Sequence, residues 1–215
     1  MRNLSRLAGF GIALLVTVWW GDAEAAGGSA KLVVIGDSLS AGYQLKAAEA
    51  FPAQLERALQ ARGHSVTVIN AGVSGDTATD GLARLDWSVE GDADAVIVAL
   101  GANDMLRGID PAVTRRALDQ ILTKLSARRL PVLLVGMLAP PNMGPDFRRA
   151  FDGMYVDLAD QRRVLLHPFF LDGVAAEPRL LLRDGMHPNS DGVAVMVERI
   201  LPAAEALLAQ IARRP

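Results

Sequence analysis

The chain has 215 residues, no cysteine, 51% hydrophobic residues, 21% charged residues and a formal net charge of −2. These values are typical of one globular domain, and they exclude collagen-like repeats, a largely disordered chain, and disulfide or thiol chemistry. A near-neutral charge with few aromatic residues provides no basic face for nucleic acid, so we expect no nucleic-acid partner.

The start of the chain has the three parts of a secretory signal. Two early arginines are followed by an almost entirely apolar stretch over residues 7–20 and by Ala23-Glu24-Ala25, an A-x-A cleavage site. We predict a signal peptide over 1–25, a single mature domain over 26–215, and a periplasmic or secreted protein. The apolar stretch is shorter than the ~20 residues that a membrane-spanning helix needs, so we expect no stable membrane insertion after cleavage. Retention as an anchor is the alternative.

The first predicted strand delivers a serine to a sharp turn. Residues 32–35 are an unbroken, mostly β-branched apolar run, typical of a strand covered on both faces in a parallel sheet. The run stops at Gly36-Asp37-Ser38, and ligands of open α/β sheets bind at the carboxyl ends of such strands. Ser38 is therefore a candidate nucleophile, and we expect Asp37 to position the turn. Both are also common turn and capping residues, so this segment alone leaves a structural role open.

Strand and helix patterns then alternate along the chain. Four further strands are predicted at residues 66–69, 95–100, 131–135 and, less regularly, 164–166. Helices are predicted over 51–62 with Gly63 beyond its end, from Asp110-Pro111 through Leu125, over 147–161, and over 190–213. Five strands separated by helices predict βαβ units, and hence a largely parallel sheet with helices on both faces in one domain.

Polar residues gather where the predicted strands end. The segment 70–76 follows the second strand, 101–104 follows the third, and 183–188 precedes the last helix. In a parallel sheet these loops and the Ser38 loop can converge at one edge. Each loop by itself also fits an ordinary turn or helix cap.

Taken together, these loops resemble the four sequence blocks of the SGNH, or GDSL, hydrolases. The matching segments are GDSLS at 36–40, the block around Gly72, GAND at 101–104, and DGMHP at 184–188, and they occur in family order. Within the family, the chain is most similar to the branch of periplasmic multifunctional esterases with thioesterase, protease and lysophospholipase activity. The resemblance implies a flavodoxin-like three-layer α/β/α fold with a five-stranded parallel sheet. It also implies hydrolysis of acyl esters and thioesters, including lysophospholipids, fatty-acyl thioesters and aryl esters.

Triad chemistry gives roles to three residues of these blocks. Ser38 needs a base to become a good nucleophile, and His187 can take its proton and return it. Asp184, three residues earlier on the same loop, can accept a hydrogen bond from the other ring nitrogen and fix the tautomer. The resemblance implies three oxyanion donors: the backbone N–H groups of Ser38 and Gly72 and the side-chain amide of Asn103.

Apolar residues near these blocks favour an acyl chain as the bound group. The predicted substrate-binding residues are Met105, Leu106, Ile109, Leu138 and Pro140. The first three belong to residues 105–110, which we expect to be a mobile loop that closes over a long acyl chain. The alternatives are a carbohydrate O-acetyl esterase with a polar pocket and a non-catalytic α/β binding module.

We expect no cofactor and no metal. Only Asp184 and His187 stand close enough in sequence to share a metal ion, whereas zinc-type signatures need more ligands. His64 and His167 come with no partner motif. The chain contains no G-x-S-x-G, which argues against the nucleophile elbow of α/β-hydrolases. We expect a monomer whose partner is a small-molecule acyl ester or thioester.

Overall fold

A computed structural model describes residues 29–211 of the chain. The predicted signal peptide over 1–25 and the end of the last predicted helix lie outside the described residues. Within 29–211, no helix combines the length and the apolar character needed to cross a bilayer.

Five parallel strands form one sheet in the order β2-β1-β3-β4-β5. The strands are β1 (Ala30–Gly36), β2 (Val66–Gly72), β3 (Ala95–Ala99), β4 (Val132–Val135) and β5 (Leu165–His167). Strand β2 lies on one side of β1, and β3, β4 and β5 follow in order on the other side. The gap between the ends of β1 and β3 is therefore a topological switch point, where ligands of open α/β sheets bind.

Helices cover both faces of the sheet. Among the described residues they are α1 (Ser38–Ala41), α2 (Phe51–Ala61), α3 (Ala78–Ala83), α4 (Leu85–Ser88), α5 (Ala102–Leu106), α6 (Pro111–Ala127), α7 (Pro145–Arg162) and α8 (Ser190–Ile211). Helices α2 and α8 contact each other, whereas α6 contacts α3 and α7. Right-handed crossovers place these two groups on opposite faces. The predicted three-layer α/β/α, flavodoxin-like fold with five parallel strands is confirmed.

The sequence signals for the longer elements act as expected. Asp110 caps α6 by accepting a hydrogen bond from the Ala112 N–H, and Pro111 opens the helix. Gly63 lies just beyond α2 with φ 87°, a left-handed conformation that favours glycine. The residues of the apolar run 32–35 are at most 1% exposed, because the sheet is covered on both faces.

The segment 105–110 differs from its prediction as a loop. Met105 and Leu106 lie in α5, with Met105 buried and Leu106 half exposed. The fully buried Asp104 fixes this short helix, because its carboxylate accepts from the Ala78 N–H and the Thr114 hydroxyl, both at 2.9 Å. The loop prediction is therefore wrong for Met105 and Leu106, and only residues 107–110 are non-helical.

Candidate active site

Ser38 begins α1 directly after the end of β1, at the switch point. Asp37 caps this helix, because its Oδ1 accepts from the Leu39 N–H at 3.0 Å. Gly36 is required by close packing, since a Cβ there would collide with Ser40 and crowd the Ala99 carbonyl. The local sequence thus turns the chain from strand to helix within two residues and leaves the Ser38 hydroxyl at the edge of the sheet.

The structure brings Ser38, His187 and Asp184 into one hydrogen-bonded line. His187 Nε2 lies 2.9 Å from Ser38 Oγ, and His187 Nδ1 lies 2.7 Å from Asp184 Oδ2. An ionised carboxylate only accepts, so Nδ1 carries the proton and donates to Asp184. In the neutral ring Nε2 is then the acceptor, and it receives the hydrogen bond from the Ser38 hydroxyl.

Asp184 is held in the ionised form by the turn that follows it. Its Oδ1 accepts from the backbone N–H of His187 at 3.0 Å and of Met186 at 2.9 Å. These backbone bonds, followed by the bond from the His187 ring, lower the pKa of Asp184 to about 2. Asp184 is therefore an anion at neutral pH, ready to orient the imidazole.

Tyr43 packs against the His187 ring. The two ring centroids lie 4.4 Å apart with the planes tilted by 36°. Tyr43 is tied to the serine side of the site, because its N–H donates to the Ser38 carbonyl. Tyr43 was not predicted as a site residue, and its only signal in the sequence is an aromatic residue five positions beyond the candidate nucleophile.

Asn103 and Ser38 each carry an N–H group that is available to a bound substrate. Asn103 lies in α5, and one N–H of its side-chain amide donates to the Asp76 carbonyl at 3.0 Å. The second N–H of that amide is free to donate elsewhere. The Ser38 backbone N–H makes no hydrogen bond to any residue in the described part of the chain.

The predicted oxyanion role of Gly72 conflicts with its hydrogen bonding. The Gly72 N–H already donates to Asn70 Oδ1 at 3.0 Å. Glycine is required here by packing, because a Cβ would collide with the backbone of Ala41. Three residues later, the Gly75 N–H has no hydrogen-bond partner within 29–211, and it stands next to Asp76, whose carbonyl Asn103 contacts. Gly75 is therefore the better candidate donor in this block.

Two buried carboxyl groups lie behind the site. Asp37 is 2% exposed, and burial raises its pKa to about 6 although the Leu39 N–H and the charge of His187 oppose the shift. Burial also raises the pKa of Asp104.

A cavity of about 110 Å³ opens beside Ser38. Its polar lining comes from Ser38, Asn103 and His187, and the rest is apolar, contributed by Leu39, Ala102, Met105, Leu106, Met137, Leu171 and Met186. An apolar cavity next to a nucleophile suits the acyl part of an ester.

Two of the five predicted substrate-binding residues line this cavity. Met105 and Leu106 line it, whereas Ile109, Leu138 and Pro140 do not. The reason is the alternation of side chains beyond β4: Met137 is buried and faces the cavity, whereas Leu138 is 44% exposed. Met137 therefore lines the cavity, whereas its outward-facing neighbour Leu138, the predicted residue, does not.

The remaining histidines and acids form no further site. His64 Nε2 lies 3.3 Å from Glu205 Oε1, and His167 is buried at the end of β5, away from the cavity. Across residues 29–211, no group of three or more histidine or acidic side chains is placed to hold a metal ion.

Comparisons with known proteins agree with one another. The model of the GDSL-like Lipase/Acylhydrolase family matches residues 34–195. An arylesterase of Vibrio mimicus is 40% identical over 164 residues, covering 76% of this chain and 82% of that protein. The thioesterase 1/protease 1/lysophospholipase L1 of Escherichia coli is 41% identical over 161 residues, covering 74% and 76%. The crystal structure of TesA aligns with a TM-score of 0.78 at 37% identity, covering 82% of this chain and 99% of that one.

Proposed function

Because the chain belongs to the GDSL-like lipase/acylhydrolase family and is a carboxylic ester hydrolase, we propose that Ser38, His187 and Asp184 are its catalytic triad. The resemblance inferred from the four sequence blocks is thereby confirmed. The observation that carries the triad proposal is the line of hydrogen bonds from Asp184 through His187 to Ser38 Oγ, at 2.7 and 2.9 Å.

In the first half of the reaction, Ser38 Oγ attacks the carbonyl carbon of the ester or thioester. His187 Nε2 takes the hydroxyl proton, and Asp184 stabilises the imidazolium that forms. The tetrahedral intermediate collapses, the bond to the alcohol or thiol breaks, and His187 gives its proton to that leaving group. In the second half, His187 takes a proton from water, which attacks the acyl-Ser38 ester and releases the carboxylic acid.

The negative oxygen of both tetrahedral intermediates needs donors that are already in place. We assign the Ser38 N–H, the free N–H of the Asn103 amide, and the Gly75 N–H in place of Gly72. Donors of this kind stabilise charge that exists only in the transition state, so they raise kcat more than they improve substrate binding.

The substrate class follows from the lining of the cavity. Its seven apolar residues favour the acyl chain of an ester or thioester, such as an aryl ester, a fatty-acyl thioester or a lysophospholipid, over the acetylated sugar of a carbohydrate esterase. A non-catalytic binding module would not need a base within hydrogen-bond distance of the serine. We propose that the mature protein starts at Ala26, is periplasmic or secreted and acts as a monomer. N-terminal sequencing of the exported protein and its mass in solution test these points.

Steady-state hydrolysis of p-nitrophenyl esters tests the proposed function. Ser38→Ala should lose essentially all activity, because no other group can form the acyl-enzyme. Ser40→Ala is the matched control: this buried serine lies one position beyond Leu39 in the same helix, and its hydroxyl has no partner in the described structure. Retained activity in Ser38→Ala, or an inactive wild type towards both acyl and acetyl-sugar esters, would contradict the proposal.

A further inference from the structure

Arg84 is a buried cation behind the Ser38 site that sequence analysis did not single out. It lies between α3 and α4, and it is 8% exposed. A buried arginine is costly unless its donors are satisfied, and this guanidinium is hydrogen-bonded at all three of its nitrogens. Its partners show what it holds together.

Two of the partners are the carboxyl ends of neighbouring strands. Nη2 donates to the Gly36 carbonyl at 3.0 Å, and Nη1 donates to the Ala71 carbonyl at 2.7 Å. Gly36 ends β1 two residues before Ser38, and Ala71 lies at the end of β2, where the Gly75 loop begins. Arg84 therefore fixes the spacing between the backbone segments that lead to two of the proposed oxyanion donors.

The third partner extends this link to the remaining donor. Arg84 Nε donates to the carboxylate of Asp76, whose side chain is 12% exposed. The backbone carbonyl of the same Asp76 accepts from Asn103 Nδ2, and its N–H donates to the Val73 carbonyl. Fixing Asp76 thus fixes both the Gly75 N–H before it and the orientation of the Asn103 amide.

We infer that Arg84 is a positioning residue for the oxyanion hole, acting on the segments that carry the Ser38, Gly75 and Asn103 donors. The inference rests on the proposed function. A fourth acceptor is the Ser88 hydroxyl, 2.9 Å from Nη1. A planar guanidinium is needed because four acceptors surround it, whereas the single ammonium of lysine cannot reach them in the same geometry. Donors that are fixed in advance need no reorganisation during the reaction, which is the source of their catalytic effect.

The first experiment compares Arg84→Lys with the wild type. Lysine keeps a positive charge beside Asp76, so the variant does not leave a buried carboxylate without a counter-ion. We expect kcat to fall about 10- to 100-fold, as for a displacement of reacting groups by about 1 Å, with KM changing less than about threefold. Inhibition by a trifluoromethyl ketone, which forms a tetrahedral adduct with Ser38, should weaken in parallel with kcat/KM.

Arg115→Lys is the matched control. Arg115 is a partly exposed arginine whose hydrogen-bond partners are Asp157 and Gln161 on α7, not the strand ends. This variant should keep the kcat of the wild type. A fluorophosphonate titration counts folded active sites, so that a loss of folded protein is not mistaken for a loss of kcat per site.

A double-mutant cycle with Asn103→Ala separates positioning from general support. Asn103→Ala alone should lower kcat about 10²- to 10³-fold, the usual effect of one oxyanion donor. If Arg84 acts through the donors, Arg84→Lys should cost clearly less in the Asn103→Ala background than in the wild type. Equal losses in both backgrounds, an unchanged kcat, or a rise in KM alone overturn the inference while the proposed function stands. A wild type without Ser38-dependent hydrolysis overturns both.

Discussion

The two halves of the candidate triad are built in different ways. Ser38 stands at the end of a central strand, above the buried side chains of Asp37, Arg84 and Asp104. Arg84 and Asp104 bind backbone groups from distant parts of the chain. His187 and Asp184 lie instead on a surface loop before α8, where the Asp184 side chain is 36% exposed.

The loop of the base half is held by contacts within itself. The Leu182 N–H donates to the His187 carbonyl at 2.7 Å, and an isolated antiparallel bridge joins Leu181 to Pro188. Asp184 accepts only from residues two and three positions later. Ser38 is therefore placed by the core of the fold, whereas His187 is placed by a short local turn. We therefore expect substitutions in the His187 loop to lower activity with little effect on stability. Substitutions around Ser38 should change both activity and stability.

The largest expected effect is on the base half. His187→Ala should lower kcat on the order of 10⁶-fold, as removal of the base from a serine triad does. The free energy of unfolding should change by no more than about 1 kcal/mol, because the side chain belongs to a locally held loop. Ester hydrolysis and urea denaturation of the same preparation check both statements. A large loss of stability would show that the loop supports the core, and would contradict the statement that the loop is held by its own contacts.

A smaller effect, on stability, is expected on the nucleophile half, where Asp37 is a buried acid. Its folded-state pKa is raised from 3.8 to about 6, so the folded protein binds this proton more tightly than the unfolded chain does. The contribution of Asp37 to stability therefore decreases as the pH rises from about 4 to about 6. Asp37→Asn keeps an oxygen for the Leu39 N–H and removes the charge, so it should become more stable than the wild type by about 1–3 kcal/mol at pH 7.

At pH 4 the free energies of unfolding of Asp37→Asn and the wild type should be almost equal. Asp184 acts with the opposite sign, because its lowered pKa gives stability that is present above pH 3.8 and lost as the pH falls towards 2. That contribution is common to both proteins and cancels in the difference. A stability difference that does not vary between pH 4 and pH 7 would show that the pKa of Asp37 is not raised in the folded protein.

The smallest expected effect concerns chain length. Leu106 lines the cavity and is 53% exposed, so a long acyl chain can cover it whereas an acetyl group cannot. Leu106→Ser should lower kcat/KM for octanoyl relative to acetyl esters about tenfold, equivalent to about two buried methylenes. Leu138→Ser is the control, because Leu138 is similarly exposed but lies outside the cavity. Equal losses on both esters would mean that Leu106 supports the site without reading chain length.

The parts that the sequence predicted correctly are those with a local signal. Apolar runs located the five strands, Asp110-Pro111 and Gly63 marked helix ends, and the four blocks identified the family and placed Ser38 and His187 together at one edge. These features depend on neighbours in sequence or on the known order of parallel strands.

The parts that were missed depend on contacts between distant segments. Arg84 and Asp104 bind groups many residues away, and Tyr43 meets His187 only after the chain has folded. Gly72 and Gly75 stand in the same block, and only the bond from the Gly72 N–H to Asn70 distinguishes them. Met105 was assigned to a loop because nothing in the segment itself shows the buried bonds that make α5 a helix.

The most direct test of this account is the site of modification by a fluorophosphonate, read by intact mass and peptide mapping. We predict one adduct per wild-type chain, located on Ser38, with none in Ser38→Ala and a greatly slowed reaction in the folded His187→Ala variant. An adduct on another residue, or labelling of Ser38 at the wild-type rate without His187, would contradict the claim that the surface loop activates a serine placed by the core.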